Sequence, residues 1–234
     1  VRSQLNSSYA TILNLYERYR NEIFKVYPYS FHYFQSHKNE QREALRLIEA
    51  KLNLLKEMDY INGNELTEKG QFAKTVYGYE LLLSELYSQG ILEQLDEFGL
   101  GIVAAAAVFE PRKNQLHPHL NRNTAKLKHI ADQIYKSIEA KERKFRIYPF
   151  SKPLHFNLSI AVEGWLRGTR FDKILQMTDT DEGEVVRYFR MSVQILREIS
   201  EAKVASLTLK ERIKETIRVL NRDIIDAEKQ LREG

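Results

Sequence analysis

Residues 79–95 read Tyr79-Glu-Leu-Leu-Leu-Ser-Glu-Leu-Tyr-Ser-Gln-Gly-Ile-Leu-Glu-Gln-Leu95, and a helix drawn through them is apolar around most of its circumference. A helix of this kind is normally buried in a bundle. Gly90 predicts that one helix ends here and another begins, because glycine is common just past a helix end. Residues 99–109 follow with the run Val103-Ala-Ala-Ala-Ala-Val108, whose small side chains let helices approach closely. Together the two segments predict a helical bundle with a buried centre.

The remaining pattern is also mostly helical. Apolar residues recur every three to four positions, which predicts amphipathic helices over residues 3–25, 39–55, 124–142 and 208–232. Thr208 and Glu211 form a capping-box pattern at the start of the last of these helices. Asn62-Gly63 is a hairpin signal, and it predicts either the two-stranded wing of a winged-helix module or an isolated β-turn between helices. The expected fold class is all-α, a helical bundle with a small winged-helix-like end piece.

Composition narrows the class of protein. The chain has 234 residues, of which 43% are apolar, enough to bury a real core. It has no cysteine, which excludes disulfides and thiolate metal sites. No apolar run approaches the roughly 20 residues of a membrane span, and no signal peptide precedes the first helix, so we expect a cytoplasmic protein. The net charge of +4 suits a polyanion partner, but it equally suits an ordinary solvated surface of mixed charge.

One predicted helix carries a candidate binding surface. Asp181 and Glu184 suit the N-cap and the first turn of a helix that runs to about Ile199. At 100° per residue, one face gathers Val185, Val186, Phe189, Val193, Leu196 and Ile199. The opposite face gathers Arg187, Arg190, Met191, Gln194 and Arg197, together with Glu198. Such a face suits a single nucleic-acid strand, since arginine pairs with phosphates and stacks on bases. The alternative is a solvated face of an ordinary helix.

Several motifs resemble a known family. The pattern Trp165-Leu-Arg-Gly168, then Phe171 and Ile174, then Glu182-Gly183-x-Val-Val-Arg187-x-Phe189-Arg190 resembles the DSHCT domain, which closes the superkiller-type DExH-box helicases. The resemblance extends to Arg222-Asp223-Ile224, Lys69-Gly70, Tyr79 to Leu86, and an upstream segment with Ser30-Phe31 and Phe34-Gln35. It implies a linker helix and winged-helix-like segment over residues 1–75, following the second RecA-like domain, and a DSHCT helical bundle over residues 76–234.

The resemblance also implies a role for the candidate helix. In this family the helix that begins near Glu182-Gly183 lies beneath the RNA channel and is called the ratchet helix, and Arg187 corresponds to its arginine. The positions that touch bases fall on Met191 and Gln194, which are charged in the exosome-associated helicases. Those members also carry a long arch insertion where this chain has only Ser36 to Glu43. The resemblance therefore implies an arch-less form.

The expected function is that of a nucleic-acid-contacting module of an ATP-dependent helicase. Its implied partners are single-stranded RNA or DNA and its own RecA-like motor domains in cis, and we expect a monomer that binds no membrane. ATP and Mg would bind the motor domains, because this chain has neither a Gly-x-x-x-x-Gly-Lys-Ser/Thr motif nor a DExH box. Gly99-Leu-Gly101 lacks the phosphate-binding lysine and is expected to be a turn. His117-Pro-His119 lacks a suitably spaced third ligand, and we expect no metal there.

Two alternative functions belong to other classes of protein. A winged-helix transcription regulator would bind duplex DNA through residues 40–75 and dimerise through its helical domain. A structural docking protein would bind a partner protein through the apolar stripe of residues 208–232 and would not bind nucleic acid.

Overall fold

The computed structural model describes residues 7–29, 37–115 and 117–226. The upstream segment from Ser30 to Gln35 that resembles the helicase family lies outside these ranges, as do residues 227–232 of the predicted last helix.

Helices dominate the described residues, which confirms the predicted all-α class. Their bounds are α1 Tyr9–Tyr19, α2 Ile23–Val26, α3 Lys38–Glu57, α4 Glu68–Ala73, α5 Glu80–Ser88, α6 Ile91–Gln94, α7 Glu97–Val108, α8 Arg122–Lys144, α9 Ser159–Leu166, α10 Phe171–Ile174, α11 Glu182–Glu201 and α12 Leu207–Leu220. The strands are β1 Ile61–Asn62 and β2 Glu65–Leu66. None of these helices is both long enough and apolar enough to cross a membrane.

The chain folds as two compact units. The first comprises Val1–Ser88 and Lys136–Ser151, and the second comprises Gln89–Tyr135 and Lys152–Gly234. The residues of α8 from Lys136 onward therefore belong to the first unit. The domain boundary at residues 75 and 76 that the resemblance implies stays a prediction.

The first unit buries apolar faces of α1 and α3, and it also encloses charged side chains. Glu142 is fully buried, and its carboxylate accepts hydrogen bonds from the Tyr9 hydroxyl at 2.8 Å and from the Ser151 amide at 2.8 Å. Lys51 is 5% exposed, and its Nζ donates to the Ser7 carbonyl oxygen at 2.7 Å. Glu80 accepts from the Ala10 amide at 3.2 Å. Each of these three buried charged groups thus has a hydrogen-bond partner, which offsets part of its desolvation cost.

The hairpin signal at Asn62-Gly63 forms a small wing, and the alternative of an isolated β-turn is wrong. Strands β1 and β2 pair antiparallel, with Ile61 opposite Leu66 and Asn62 opposite Glu65. Gly63 has a φ of 59°, a left-handed conformation that glycine adopts without strain. The wing follows α3 directly and leads into α4, so the predicted winged-helix-like end piece is confirmed.

Gly70 lets the wing and α4 lie very close together. A Cβ atom added at Gly70 would lie 2.1 Å from the carbonyl oxygen of Tyr60, far inside van der Waals contact. Thr67 begins α4, and its hydroxyl accepts a hydrogen bond from the Gly70 amide at 3.2 Å while donating to the Asp59 carbonyl at 2.7 Å. The Lys69-Gly70 pair of the resemblance therefore has a steric reason in this fold.

The second unit is built around α7. Every residue of α7 from Leu100 to Val108 is buried, and the helix packs against α9, α11 and α12. The prediction of a turn at Gly99-Leu-Gly101 is wrong, because these residues lie inside α7. The carboxylate of Asp96 caps this helix by accepting from the Gly99 amide at 2.8 Å. A Cβ atom at Gly101 would lie 2.7 Å from Cδ1 of Leu166, so glycine permits the close packing on α9.

Gly90 separates α5 from α6 as predicted, and its φ of 71° is left-handed. The prediction for the last helix is partly wrong. The α12 helix is capped by Ser206, whose hydroxyl accepts from the Leu209 amide at 3.0 Å, and Thr208 lies inside the helix. It ends at Leu220, and Ile224 belongs to a separate short 3-10 turn, Asp223–Ile225.

Candidate nucleic-acid interface

The candidate interface lies on α11, whose first turn is held by residues from another loop. Asp181 occupies the predicted N-cap position in an extended conformation, but its carboxylate does not cap the helix. Instead it pairs with Arg112, with Nη1 2.6 Å from Oδ2. The hydrogen bond from Arg112 to Asp181 raises the pKa of Arg112. Gln115 reaches the same segment, and its Nε2 donates to the Thr180 hydroxyl at 2.9 Å.

The buried face of α11 is wider than the predicted one. Val185, Phe189, Val193, Leu196 and Ile199 are buried as expected, whereas Val186 is half-buried. Burial also includes Tyr188, Ser192 and Ile195. The reason is that α11 packs against both α7 and α12. A narrow strip of side chains is left accessible along this helix.

Arg187 stands near the start of the accessible strip. Its Nη2 lies 2.7 Å from Oε2 of Glu184, and its guanidinium carbon lies 4.4 Å from the ring centroid of Tyr188. The hydrogen bond with Glu184 raises the pKa of Arg187 and lowers the pKa of the Glu184 carboxyl. The arginine side chain is 47% exposed, and an exposed ion pair of this kind contributes little to stability because water screens it. A phosphate can therefore replace the carboxylate at small cost.

Arg190 is placed differently, although it shares the predicted face. Its Nε donates to the Ile225 carbonyl oxygen at 3.0 Å, and its Nη2 donates to the Ile224 carbonyl oxygen at 2.9 Å. The side chain is half-buried. The planar fork of arginine suits two adjacent acceptors, so Arg190 fastens the turn after α12 to α11.

The other predicted residues complete the strip. Met191 is half-buried, with its sulfur 3.7 Å from Nη1 of Arg187. Gln194 is exposed, and its Nε2 donates to Oε1 of Glu198 at 3.2 Å. Arg197 is exposed, and it has no ion pair among the described residues. The accessible strip is accordingly Arg187, Gln194 and Arg197, flanked by Met191.

Two further cations near this strip, Arg112 and Lys152, could not be predicted from the sequence. Lys152 forms an ion pair with Glu110, and this hydrogen bond lowers the pKa of the Glu110 carboxyl. The charge of Arg187 also contributes to that lowering. Both cations are far from Arg187 in the chain, and no local pattern links them to α11. Only the tertiary fold brings Arg112 and Lys152 close to α11.

No group of three or more His, Cys, Asp or Glu side chains is placed to hold a metal ion within residues 7–29, 37–115 and 117–226. His117 and His119 are both exposed.

A model of the DSHCT (NUC185) domain matches residues 63–228. The chain belongs to the DSHCT domain family. The match includes the wing from Gly63 onward and all of α11, so the surface described above lies inside the DSHCT domain. The resemblance carried by the motifs is confirmed.

Three relatives of this DSHCT chain are named as helicases. ATP-dependent RNA helicase mtr4 of Schizosaccharomyces pombe is 23% identical over 197 residues, which are 80% of this chain and 18% of that protein. Antiviral helicase SKI2 of Saccharomyces cerevisiae is 27% identical over 190 residues, 76% of this chain and 15% of that protein. Exosome RNA helicase MTR4 of Homo sapiens is 28% identical over 198 residues, 80% of this chain and 19% of that protein. The chain spans less than a fifth of the length of these relatives.

Two DSHCT motifs that are far apart in the chain meet in the second unit. The Trp165 indole is buried, and its Nε1 donates to the Leu220 carbonyl oxygen at 2.9 Å. The guanidinium carbon of Arg222 lies 3.5 Å from the Trp165 ring centroid. Nη2 of Arg222 donates to the carbonyl oxygens of Trp165 at 3.0 Å and Thr169 at 2.9 Å. Gly168 follows α9 with a φ of 87°. The Trp165-to-Gly168 and Arg222-Asp223 motifs thus hold the bundle together.

Proposed function

We propose that this chain is the DSHCT module of an ATP-dependent DExH-box helicase, and that the accessible strip of α11 contacts one strand of RNA or DNA. Family membership and the names of the relatives support the first part. The observation that carries the second is the strip itself, where Arg187, Gln194 and Arg197 face solvent from a helix fixed in the bundle. The relatives named as RNA helicases favour RNA as the strand.

The strip suits a strand that moves. Arginine guanidinium groups bind phosphates, which every nucleotide presents, and Gln194 adds an amide that donates and accepts. None of these contacts demands a particular base, so they permit successive nucleotides to pass. Because α11 is buried against α7 and α12, the strip does not yield when a strand is pulled across it. The module is therefore a passive guide.

The force would come from RecA-like motor domains in cis, which would hold ATP and Mg. The chain itself contains no Walker-type phosphate loop, so we assign no step of ATP hydrolysis to its residues. Its contribution is to keep the single strand in place between cycles of the motor.

The test is binding of a fluorescent single-stranded RNA by the double variant Arg187→Ala/Arg197→Ala. We expect weaker binding, and the dependence of log affinity on log salt should flatten by about 1.4 for two lost phosphate contacts. Arg190 is left unchanged, since it anchors the turn after α12.

A matched control is available on α12. Arg218 pairs with Glu215 three residues earlier, as Arg187 does with Glu184, and Lys214 is a second exposed cation. The variant Lys214→Ala/Arg218→Ala removes the same net charge from another helix. Equal loss of affinity in both double variants would show only a general charge effect and would refute the assigned strip. The same pair can be compared for strand unwinding in a protein that joins this chain to its motor domains.

The docking alternative draws no support from α12. Leu209, Ile213 and Leu220 of the predicted apolar stripe are buried within the second unit. They are not presented to a partner protein.

A further inference from the structure

We propose that the first unit carries a second site for single-stranded nucleic acid, independent of α11, at the end of α8 and in the segment that follows it. The site, here called the basic–aromatic surface, consists of Arg143, Lys144, Arg146, Tyr148 and Phe150. A base stacks on the Tyr148 ring, and the three cations take the adjoining phosphates.

The aromatic part of this surface faces solvent. Tyr148 is 57% exposed, and its ring centroid lies 4.7 Å from that of Phe150 at an interplanar angle of 46°. Phe150 is half-buried and in turn lies under Arg143, whose guanidinium carbon is 4.5 Å from its ring centroid. Tyr148 is thus supported from one side by another ring, and much of its own surface is open. An exposed ring held in this way is a stacking platform for a base.

The segment is fixed at both ends and in its middle. Glu142 is fully buried, and it accepts hydrogen bonds from the amide and the hydroxyl of Ser151, both at 2.8 Å. Ile147 is completely buried, directly before Tyr148. The platform therefore exists before a ligand arrives, and binding costs little conformational entropy.

Cations outnumber carboxylates around the rings. Arg143 pairs with Glu139, and Lys144 shares Glu57 with Lys141. Arg146 is exposed, and its side chain has no ion pair among the described residues. These are surface pairs of small individual value, so phosphates compete with the carboxylates on favourable terms.

The chemistry favours a single strand over a duplex or a lipid surface. Bases in a duplex are already stacked and paired, which leaves Tyr148 no face to cover. A membrane-surface segment needs a continuous apolar face, whereas Tyr148 is the one largely exposed aromatic ring of the basic–aromatic surface. Exposed cations next to an exposed ring are the combination that binds single strands without sequence preference.

The experiment measures anisotropy of a labelled single-stranded oligouridine with Tyr148→Ala, Tyr148→Phe and the control Tyr77→Ala. Tyr77 is also about half exposed in the first unit, but its hydroxyl accepts from Asn14. In a protein that already carries Arg187→Ala/Arg197→Ala, Tyr148→Ala should weaken binding about 5- to 150-fold, the loss of one stacked base. In the same background, Tyr148→Phe and Tyr77→Ala should leave binding unchanged. Thermal melting of each variant checks that the fold is intact, as expected for an exposed side chain.

The outcomes separate this site from the α11 strip. If Arg187→Ala/Arg197→Ala weakens binding and adding Tyr148→Ala to it does not weaken binding further, the basic–aromatic surface is refuted and the proposed function stands. If only Tyr148→Ala weakens binding, the second site is supported and the role of α11 fails. Binding to phosphatidylserine vesicles in preference to the oligonucleotide would overturn the proposal in favour of a lipid surface.

Discussion

At the scale of single residues, Arg187 and Arg190 show how identical side chains on one predicted face can have different roles. Arg187 stays accessible with a partially exposed partner, Glu184. Arg190 is half-buried and donates to the carbonyl groups of Ile224 and Ile225. Helical periodicity gives the direction of a side chain, but it does not show which neighbouring backbone lies within reach.

Lys51 is a buried lysine, so its amino group is largely removed from water. Burial lowers its pKa to about 8, against the partly compensating charges of Glu80 and Glu142. Its Nζ also lies 4.7 Å from the ring centroid of Tyr9, whose own pKa is raised by burial and by Glu142. A depressed lysine pKa means that the folded state disfavours the charge relative to the unfolded state.

This predicts a pH dependence of stability. From the folded pKa of about 8 upward to the ordinary value of 10.5, the unfolded chain binds more protons at Lys51 than the folded one. The contribution of Lys51 to the free energy of unfolding therefore rises with pH through this window and is least favourable below it. Lys51→Met lacks this contribution. The unaltered protein should gain stability relative to Lys51→Met between pH ~8 and pH ~10.5. Chemical denaturation of both proteins measures the difference, and a difference that does not change with pH contradicts the prediction.

At the scale of elements, two glycines near helix starts differ in whether the surrounding structure leaves room for a side chain. A Cβ atom at Gly70, in α4, would lie 2.1 Å from the Tyr60 carbonyl oxygen. A Cβ atom at Gly183, in α11, would meet nothing within 4 Å. Neither glycine has a left-handed backbone, so the comparison isolates the steric effect.

We expect Gly70→Ala to lower the free energy of unfolding by about 1–3 kcal/mol, because the backbone of the wing must move away from α4. Gly183→Ala is the matched control, and it should be neutral or raise stability by a few tenths up to about 1 kcal/mol through better helix propensity. The denaturant midpoints of the two variants, compared with that of the unaltered protein, measure both changes in stability. Equal destabilisation by both changes would mean that the close approach at Gly70 is not what requires glycine.

The α12 helix illustrates an error at the same scale. The apolar stripe from Leu209 to Leu231 predicts one helix. The structure ends the helix at Leu220, and Arg222 then turns back onto Trp165 with its guanidinium carbon 3.5 Å from the ring centroid. Arg222 also donates hydrogen bonds to two carbonyl groups. We infer that these contacts and the cation–π contact stabilise the turn more than a further turn of helix would.

At the scale of the whole molecule, few large apolar side chains of the described residues are exposed. They are Phe24, Tyr29, Tyr77, Tyr148, Ile160, Met177 and Leu207, and no two of them are adjacent in sequence. The buried apolar residues of α12 are turned inward. A stable dimer usually buries more than about 1,000 Å² with an apolar centre.

We therefore predict a monomer in sedimentation equilibrium over a wide range of concentrations. The winged-helix regulator alternative predicts a stable dimer that binds duplex DNA in preference to a single strand. Sedimentation and a direct comparison of duplex with single-stranded ligands distinguish the two. A dimer that selects duplex DNA would reject the helicase module.

Much of this fold follows from local pattern. The apolar circumference of residues 79–95 predicts burial, which is confirmed for most of α5, whereas only Leu92 of α6 is buried. The break predicted at Gly90 and the hairpin predicted at Asn62-Gly63 are confirmed. The positions of the accessible strip on α11 also follow from a period of 3.6 residues. These features depend on neighbours in the chain, where periodicity and turn chemistry act.

The tertiary structure alone decided what each surface can do. It assigned Arg190 to the backbone of Ile224 and Ile225, placed Arg112 beside Asp181, and packed Arg222 on Trp165. It also left Tyr148 exposed, in a segment whose two ends are joined by the hydrogen bond from the Ser151 amide to Glu142. The physical reason is that hydrogen bonds, ion pairs and burial depend on distances between residues far apart in sequence. Helical periodicity determines which way a side chain points, and packing determines what it meets there.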